Sequence, residues 1–531
     1  MRRFNTTGLC VPDQDYMVDI SDKIRQIKEM VDRGEYFTIN RARQFGKTTV
    51  LSQLQRTLFG EYVCVRTSFE GIGDKPFESP ETFCAAFMGL VQDALRFSSI
   101  AEDSAYIESW VDAAVTGFML LGKHIGRMCR GRKLVLMIDE VDKTSNNRVY
   151  IHFLGMLRDK YLERKDGRAF TFQSVILAGV YDIKNQKLKM INEGVYGPAA
   201  EGKLYNSPWN IAADFTVDMS FKPEEIGSML REYQKDRRTG MDIAAVSQEV
   251  YDYSSGYPYL VSRLCQLIEE RFNRDWTAEG VQKAAKYLIT QENNTLFDDI
   301  FKNLEAFPDL YQLIYDFLIS GEARGKLYSA DDPVVSWALM FGFVMRRGEK
   351  IVIANRIFET RIANYFLSKD GRRQDRKAVN GVFKYDVVKD GRFDMELCLR
   401  RFALHFRQVF GKEDAAFLER QGRLVFLSFL VPLINGEGFY YIESETTDAL
   451  RMDLVVSYGR EEFIIELKIW RREAAHGAGY EQLGEYLRRR GRGEGYLLTF
   501  DFRKESSRNP REEWITAGRN GEELRIFDVM L

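Results

Sequence analysis

The sequence predicts an α/β protein, and three observations carry that prediction. Over residues 1 to about 220, short apolar runs alternate with segments of helical periodicity, the pattern of a parallel sheet covered by helices on both faces. Leu134-Val-Leu-Met-Ile138 shows no polar alternation, as a strand buried on both faces requires. Beyond a charged break near residue 370, helices and strands resume, so the last 150 or so residues form a second α/β body. With 531 residues the chain exceeds what one hydrophobic core supports, and about three or four domains are expected at roughly 100–200 residues each.

Glu35 to Asn40 reads as a short strand, followed by a turn and a helix from about Lys47 to Leu58. Tyr62–Ser68, Lys133–Ile138, Ser174–Val180 and Phe215–Ser220 read as the second to fifth strands. From 222 to 290 the pattern is helical, starting at Lys222-Pro-Glu-Glu and interrupted by Gly256 and Pro258. Residues 291–366 hold short helices, a hairpin from Phe343 to Ile353 and a final helix, the outline of a winged helix. Ser368-Lys-Asp-Gly-Arg-Arg-Gln-Asp-Arg-Lys377 is charged and poor in apolar residues, the clearest boundary in the chain. The expected segments are therefore 1–221, 222–290, 291–366, a linker at 367–380, and 381–531.

Composition narrows the function classes. Hydrophobic residues at 45% and only 11 Pro exclude a disordered or collagen-like chain. Lys and Arg total 76 against 78 Asp and Glu, which argues against a globally basic nucleic-acid binder and leaves room for a local basic groove. The six cysteines stand at least 20 residues apart, and there are only 4 His, so neither a disulfide framework nor a zinc site is expected. The longest largely apolar stretch, Leu424 to Ile434, contains Pro432 and falls short of the ~20 residues of a membrane span. The first residues have no apolar leader core, and the expected location is the cytoplasm.

Arg41-Ala-Arg-Gln-Phe-Gly-Lys-Thr-Thr49 stands where a strand ends and a helix begins, a place where backbone N–H groups and the helix dipole favour an anion. Gly46 lets the backbone approach a phosphate, Lys47 supplies charge, and the Thr48 hydroxyl suits Mg²⁺. Arg43, Gln44, Phe45 and Thr49 complete the candidate loop. The Walker A pattern has Gly where this chain has Arg41, and Gly-Lys-Thr also occurs in ordinary loops. Downstream, five apolar residues end in Asp139-Glu140, carboxylates at the tip of a buried strand, where open α/β sheets place ligands. Asp139 is the candidate Mg²⁺ holder and Glu140 the group that polarises the attacking water.

Residues 1 to about 366 resemble the AAA-like (AAA-ATPase-like, STAND-related) family of P-loop ATPases. The likeness rests on Phe4-Asn-Thr-Thr-Gly8, Tyr36 to Thr49, Leu136-Met-Ile-Asp-Glu-Val-Asp142, Gly256-Tyr-Pro-Tyr-Leu260 and Asn355-Arg-Ile-Phe-Glu359. In that family Arg commonly replaces the first Walker glycine. The resemblance implies Mg-ATP binding, a helical lid and a winged helix. The strand at Ser174–Val180 ends in Gly179-Val-Tyr-Asp182, without the family's Asn or Thr sensor.

Near the C-terminus, Arg451-Met-Asp-Leu-Val-Val456 and Phe463 to Ile469 read as two strands joined at Gly459-Arg460. That turn sets Asp453 across from Glu466, where two carboxylates repel unless a cation lies between them. Lys468 shares the face of Glu466, while Ile465, Leu467 and Ile469 line the other. Asp, Glu and Lys on one face fit a metal-assisted phosphodiester site. A half-exposed strand with outward charges fits the same pattern. A helix follows with Gln482, then the strand Gly495 to Phe500. This order resembles the PD-(D/E)XK nuclease superfamily over residues 380–531, especially the module found behind AAA-like ATPase domains. The resemblance implies that Asp453 and Glu466 bind metal, that Lys468 is catalytic and that Gln482 supports the site. Arg488-Arg-Arg-Gly-Arg492 suits a phosphate-gripping strip or, equally, a solvated helix end.

The expected protein couples ATP and Mg²⁺ binding to a nuclease-type domain acting on nucleic acid, DNA first, with self-association and no membrane. A defence or mobile-element role fits that architecture. Two alternatives are a nucleotide switch whose last domain only binds nucleic acid or protein, and an ATPase remodeller with an inactive nuclease fold.

Overall fold

The computed structural model describes residues 2–144, 147–180, 209–320, 326–373, 387–389, 391–409, 419–434, 438–441, 454–459, 461–470, 473–489, 491–501, 511–517 and 524–531. They form two compact units, Met1–Tyr251 with Gly256–Val281 and Met340–Gly342, and Asp252–Ser255 with Gln282–Leu339 and Phe343–Leu531.

The first unit is built on α1 (Ser21–Asp32), β1 (Tyr36–Asn40), α2 (Lys47–Leu58), β2 (Val63–Ser68), α3 (Pro80–Leu95), α4 (Phe118–Met128), β3 (Leu134–Asp139), α5 (Arg148–Lys165) and β4 (Ser174–Gly179). The four strands pair in the order β1-β4-β3-β2, every pair parallel. Each residue of β3 and β4 is buried, which is why their apolar runs lack polar alternation. Phe69, Phe83, Phe87, Trp110 and Phe153 form the core on one side of this sheet. Ser79 starts α3 with a capping box, its hydroxyl accepting the Thr82 N–H at 3.2 Å.

Phe215–Ser220 does not form the expected fifth strand. Beside β1 the chain makes one isolated bridge, Ala213 to Phe37. Phe215 then stacks on Phe37 at 5.9 Å, and the Arg41 guanidinium donates to the Val217 carbonyl at 2.9 Å. A side-chain bond thus takes the place of a backbone ladder.

Four helices come next, α6 (Pro223–Arg237), α7 (Ile243–Ser254), α8 (Pro258–Glu270) and α9 (Ala278–Thr290). The N-terminal segment is stitched to α6: Arg2 bonds Glu232 and Asp236, and the Tyr16 hydroxyl donates to Asp236 at 3.0 Å. Phe4 sits among Tyr16, Tyr233 and Trp276. Gly256 (φ +72°) is fixed by close approach, since a Cβ there would lie 1.9 Å from the Phe221 carbonyl oxygen. Gly256→Ala should therefore cost about 3 kcal/mol or more, combining overpacking with left-handed strain. Gly348→Ala, also left-handed but in open space, should cost only about 1 kcal/mol. Thermal unfolding midpoints of the two variants check the contrast.

The second unit contains α10 (Thr295–Ala306), α11 (Pro308–Tyr315), α12 (Pro333–Met340), the hairpin β5 (Val344–Arg347) and β6 (Lys350–Ile353), and α13 (Arg356–Arg373). Asn355 caps α13, its side-chain oxygen accepting the Phe358 N–H at 2.8 Å. The linker expected from residue 367 instead begins as the last turns of this helix. Lys369 and Tyr365 both bond Glu305 of α10, which ties the charged end of α13 to a neighbour. Residues 374–380 of the expected linker lie outside the described residues.

Two helices, α14 (Met395–Val409) and α15 (Glu419–Ile434), precede β7 (Gly438–Tyr441), β8 (Leu454–Tyr458), β9 (Glu461–Ile469), α16 (Glu473–Arg489), β10 (Glu494–Phe500), β11 (Arg511–Ala517) and β12 (Leu524–Met530). Their strands make one mixed sheet ordered β11-β12-β10-β9-β8-β7. Antiparallel β8 and β9 pair from Leu454↔Ile465 to Tyr458↔Glu461, the register that the two-residue turn dictates. The next position, Asp453, lies outside the described residues.

Candidate functional site

All four parallel strands of the first unit point their C-terminal ends the same way, and the phosphate-type loop leaves from one of them. Gly46 (φ +77°) is the residue before α2, and a side chain would be strained there by conformation, since the nearest atom to a Cβ is 3.9 Å away. Lys47 opens the helix and is buried, its ammonium donating to the carbonyls of Arg41 and Ala42, each at 3.1 Å. Burial pulls its pKa below the ordinary lysine value, against the opposing pull of Glu140, Asp142 and Asp139. The Thr48 hydroxyl donates to Asp139 Oδ2 at 2.6 Å, joining the start of α2 to the end of β3. Asp139 Oδ1 accepts the Glu140 N–H at 3.0 Å. Glu140 itself is left-handed (φ +52°), and burial raises its carboxyl above the ordinary value while Lys47 opposes the rise.

A cavity of about 250 Å³ opens over these residues, its lining including Gln44 to Thr49, Glu140, Met17, Ile27, Met219 and Phe221. The donor set fits a magnesium-bound nucleoside triphosphate: a glycine turn at a helix N-terminus, a lysine ammonium, and a hydroxyl–carboxylate pair.

The remaining loop residues divide by role. Arg43 offers its carbonyl to the Tyr257 hydroxyl, and Phe45 packs edge-on against the Tyr257 ring at 4.8 Å. Thr49 turns to the N-terminal segment, accepting the Cys10 N–H at 3.3 Å. Arg41, in place of the Walker glycine, points back along the sheet edge to Val217 and over the Phe215 ring, so it is absent from the cavity wall. Tyr257 and Cys10 had no site role in the sequence reading. The Gly-Tyr-Pro turn was the available signal for Tyr257, because a glycine before a helix-starting proline fixes where that ring enters.

In the second unit, Glu466 on β9 is 1% exposed and its Oε1 pairs with the Lys468 ammonium at 2.6 Å. Lys468 also donates to Gln482 Oε1 on α16 at 3.3 Å. Three of the four predicted residues thus meet, and Asp453 is outside the described residues. The same sheet face carries a further acid: Glu466 pairs in register with Leu497 and Leu497 with Asp528, which accepts the Tyr480 hydroxyl at 2.6 Å. Its signal in the sequence, a lone Asp in a C-terminal strand, is too common to single out. Among the described residues no group of three or more His, Cys, Asp or Glu is arranged to hold a metal. Of the basic strip, Arg492 pairs with Glu462 at 3.4 Å. No described helix is long and apolar enough to cross a membrane.

Comparison with known proteins gives a family. The AAA-like domain profile matches residues 15–286. No curated protein matches. Among solved structures, the Walker-type ATPase PABY2304 of Pyrococcus abyssi aligns with a TM-score of 0.47 at 10% identity, covering 68% of this chain and 99% of that one. The Aeropyrum pernix ORC2 protein aligns at 0.36 and 11%, covering 69% and 98%. The Thermotoga maritima RuvB Holliday junction branch migration motor aligns at 0.31 and 12%, covering 63% and 92%. The profile match spans more than half of the chain, and this protein, whose first unit is built on a four-stranded parallel sheet, belongs to the AAA-like domain family.

Proposed function

We propose that this protein is a Mg²⁺-dependent ATPase whose nucleotide state governs a metal-dependent phosphodiester-cleaving site in its second unit. The contact between Thr48 and Asp139 carries the first half: a helix-start hydroxyl and a strand-end carboxylate meet at 2.6 Å beside a buried lysine. Thr48 and Asp139 would hold Mg²⁺, which when bound offsets the charge of the phosphate oxygens. Lys47 exchanges its two carbonyl partners for phosphate oxygens, and the N–H groups at the start of α2 take others. Glu140 accepts the proton of the attacking water, a task its burial-raised basicity favours.

Removing that base gives the test. Glu140→Gln should slow ATP turnover by about 100-fold or more while leaving ATP affinity unchanged. Because Glu140 acts deprotonated and its carboxyl is raised, wild-type turnover should fall on acidification at a pH above the ordinary carboxylate range. Equal rates in the variant and the wild type would remove Glu140 from the mechanism.

For the second half, buried Glu466 facing Lys468 and Gln482 supports a cleavage site in which Glu466 and Asp453 bind Mg²⁺, Lys468 polarises the nucleophile and Gln482 orients it. The reading includes a helical lid at 222–290, a winged helix at 291–366 and a nuclease-like domain at 381–531. The partner is nucleic acid, DNA first. Self-association, a cytoplasmic location and a defence or mobile-element role complete the proposal.

A further inference from the structure

β4 lies between the strand that enters the phosphate loop and the strand that ends in Asp139, so its C-terminal tip stands between those two candidate groups, at the sheet end where open α/β folds place ligands. Its own residues there, Gly179 and Val180, bring no polar side chain. The place is filled from the short helical turn Val141–Thr144 that follows β3. Asp142 Oδ2 accepts the Val180 N–H at 2.6 Å, and Asp142 Oδ1 occupies the space over Gly179, where a Cβ would come within 2.7 Å of it and within 3.0 Å of Val141. Gly179 is thus the vacancy into which the Asp142 carboxylate fits, two residues 37 positions apart making one contact.

The turn that carries Asp142 also carries Glu140. A left-handed conformation in a residue with a Cβ costs about 1–2 kcal/mol and persists only where surrounding bonds fix it. Two bonds flank it here: Glu140 N–H to Asp139 Oδ1 on one side, and Val180 N–H to Asp142 on the other. The tip of β4 is bonded in turn to the phosphate loop, because the Gly179 carbonyl accepts the Arg41 N–H at 3.2 Å. We infer that Asp142 is a positioning residue for ATP hydrolysis, locking the Glu140 turn onto the β4 tip to which the phosphate loop is registered. This rests on the reading of Glu140 as the base.

The experiment compares Asp142→Ala, Asp142→Asn, Gly179→Ala and Glu140→Gln in the full chain, measuring steady-state ATP turnover, equilibrium binding of a fluorescent ATP analogue with Mg²⁺, and melting temperature. Asp142→Ala and Gly179→Ala should each lower kcat by about 10- to 100-fold, the scale of a misplaced catalytic group, with Kd changed less than about 3-fold. Asp142→Asn keeps an oxygen that accepts the Val180 N–H and should recover most of the rate. A wild-type rate in Asp142→Ala beside a slow Glu140→Gln overturns this assignment alone. Equal losses in Asp142→Ala and Asp142→Asn, or a loss of ATP affinity and melting temperature in step with kcat, also overturns it. A wild-type rate in Glu140→Gln overturns the base reading and this assignment with it.

Discussion

Replacing Lys47 with alanine should weaken Mg-ATP binding by about 100-fold, read as the Kd of a fluorescent nucleotide at fixed Mg²⁺. Hydrogen bonds to charged groups contribute about 1.5–3 kcal/mol, and each 1.4 kcal/mol is a factor of ten. Lys47 belongs at the upper end of that range because it is only 6% exposed. Its ammonium rests on two backbone carbonyls, and burial lowers its pKa. An incoming triphosphate brings formal negative charge into direct contact with this buried cation, where the two carbonyls offer only dipoles and Glu140, Asp142 and Asp139 act through space. Lys47→Arg should rescue little, since the two carbonyls at 3.1 Å cradle a compact ammonium and a planar guanidinium presents its donors differently. A change in Kd below about 3-fold would place Lys47 outside the binding machinery.

The candidate phosphate loop was legible because its pattern is local. Gly46, Lys47 and Thr48 are consecutive, and Asp139-Glu140 closes a run whose burial on both faces is visible in its composition. Helix start and strand end are the two places where position in the chain fixes position in the sheet. The β8–β9 register was legible for a similar reason, a two-residue turn leaving one way to pair the strands. What the sequence concealed depended on long-range bonds. Phe215–Ser220 has the composition of a strand, yet its partner is the Arg41 side chain, 176 positions away from Val217. Ser368–Arg373 has the composition of a linker, yet bonds from Lys369 and Tyr365 to Glu305 accompany the helix into that stretch. Tyr257 reaches Arg43 across 214 positions, a contact that no local pattern announces. Propensity describes a segment alone, and each of these outcomes was set by a partner elsewhere.

Glu466→Gln should reduce Mg²⁺-dependent cleavage of DNA by about 1000-fold, the effect expected when a catalytic site loses a charged group, while ATP affinity stays at the wild-type value. The glutamine keeps the shape and retains an oxygen for the Lys468 ammonium, so packing under α16 is conserved and only the charge is removed. Glu466→Ala confounds the two, because it leaves Lys468 with one fewer partner and opens space in a buried face. Asp453→Ala should match Glu466→Gln if the two acids share one cation, as the proposed cleavage site requires. Two negative charges facing each other repel, and a divalent cation reverses the sign of that interaction. The melting temperature of the wild type should therefore rise with Mg²⁺ and that of Glu466→Gln should respond less. Cleavage by both variants at the wild-type rate would reduce the Glu466–Lys468–Gln482 group to an internal ion pair, leaving a nucleotide switch whose second unit recognises its partner without cutting it.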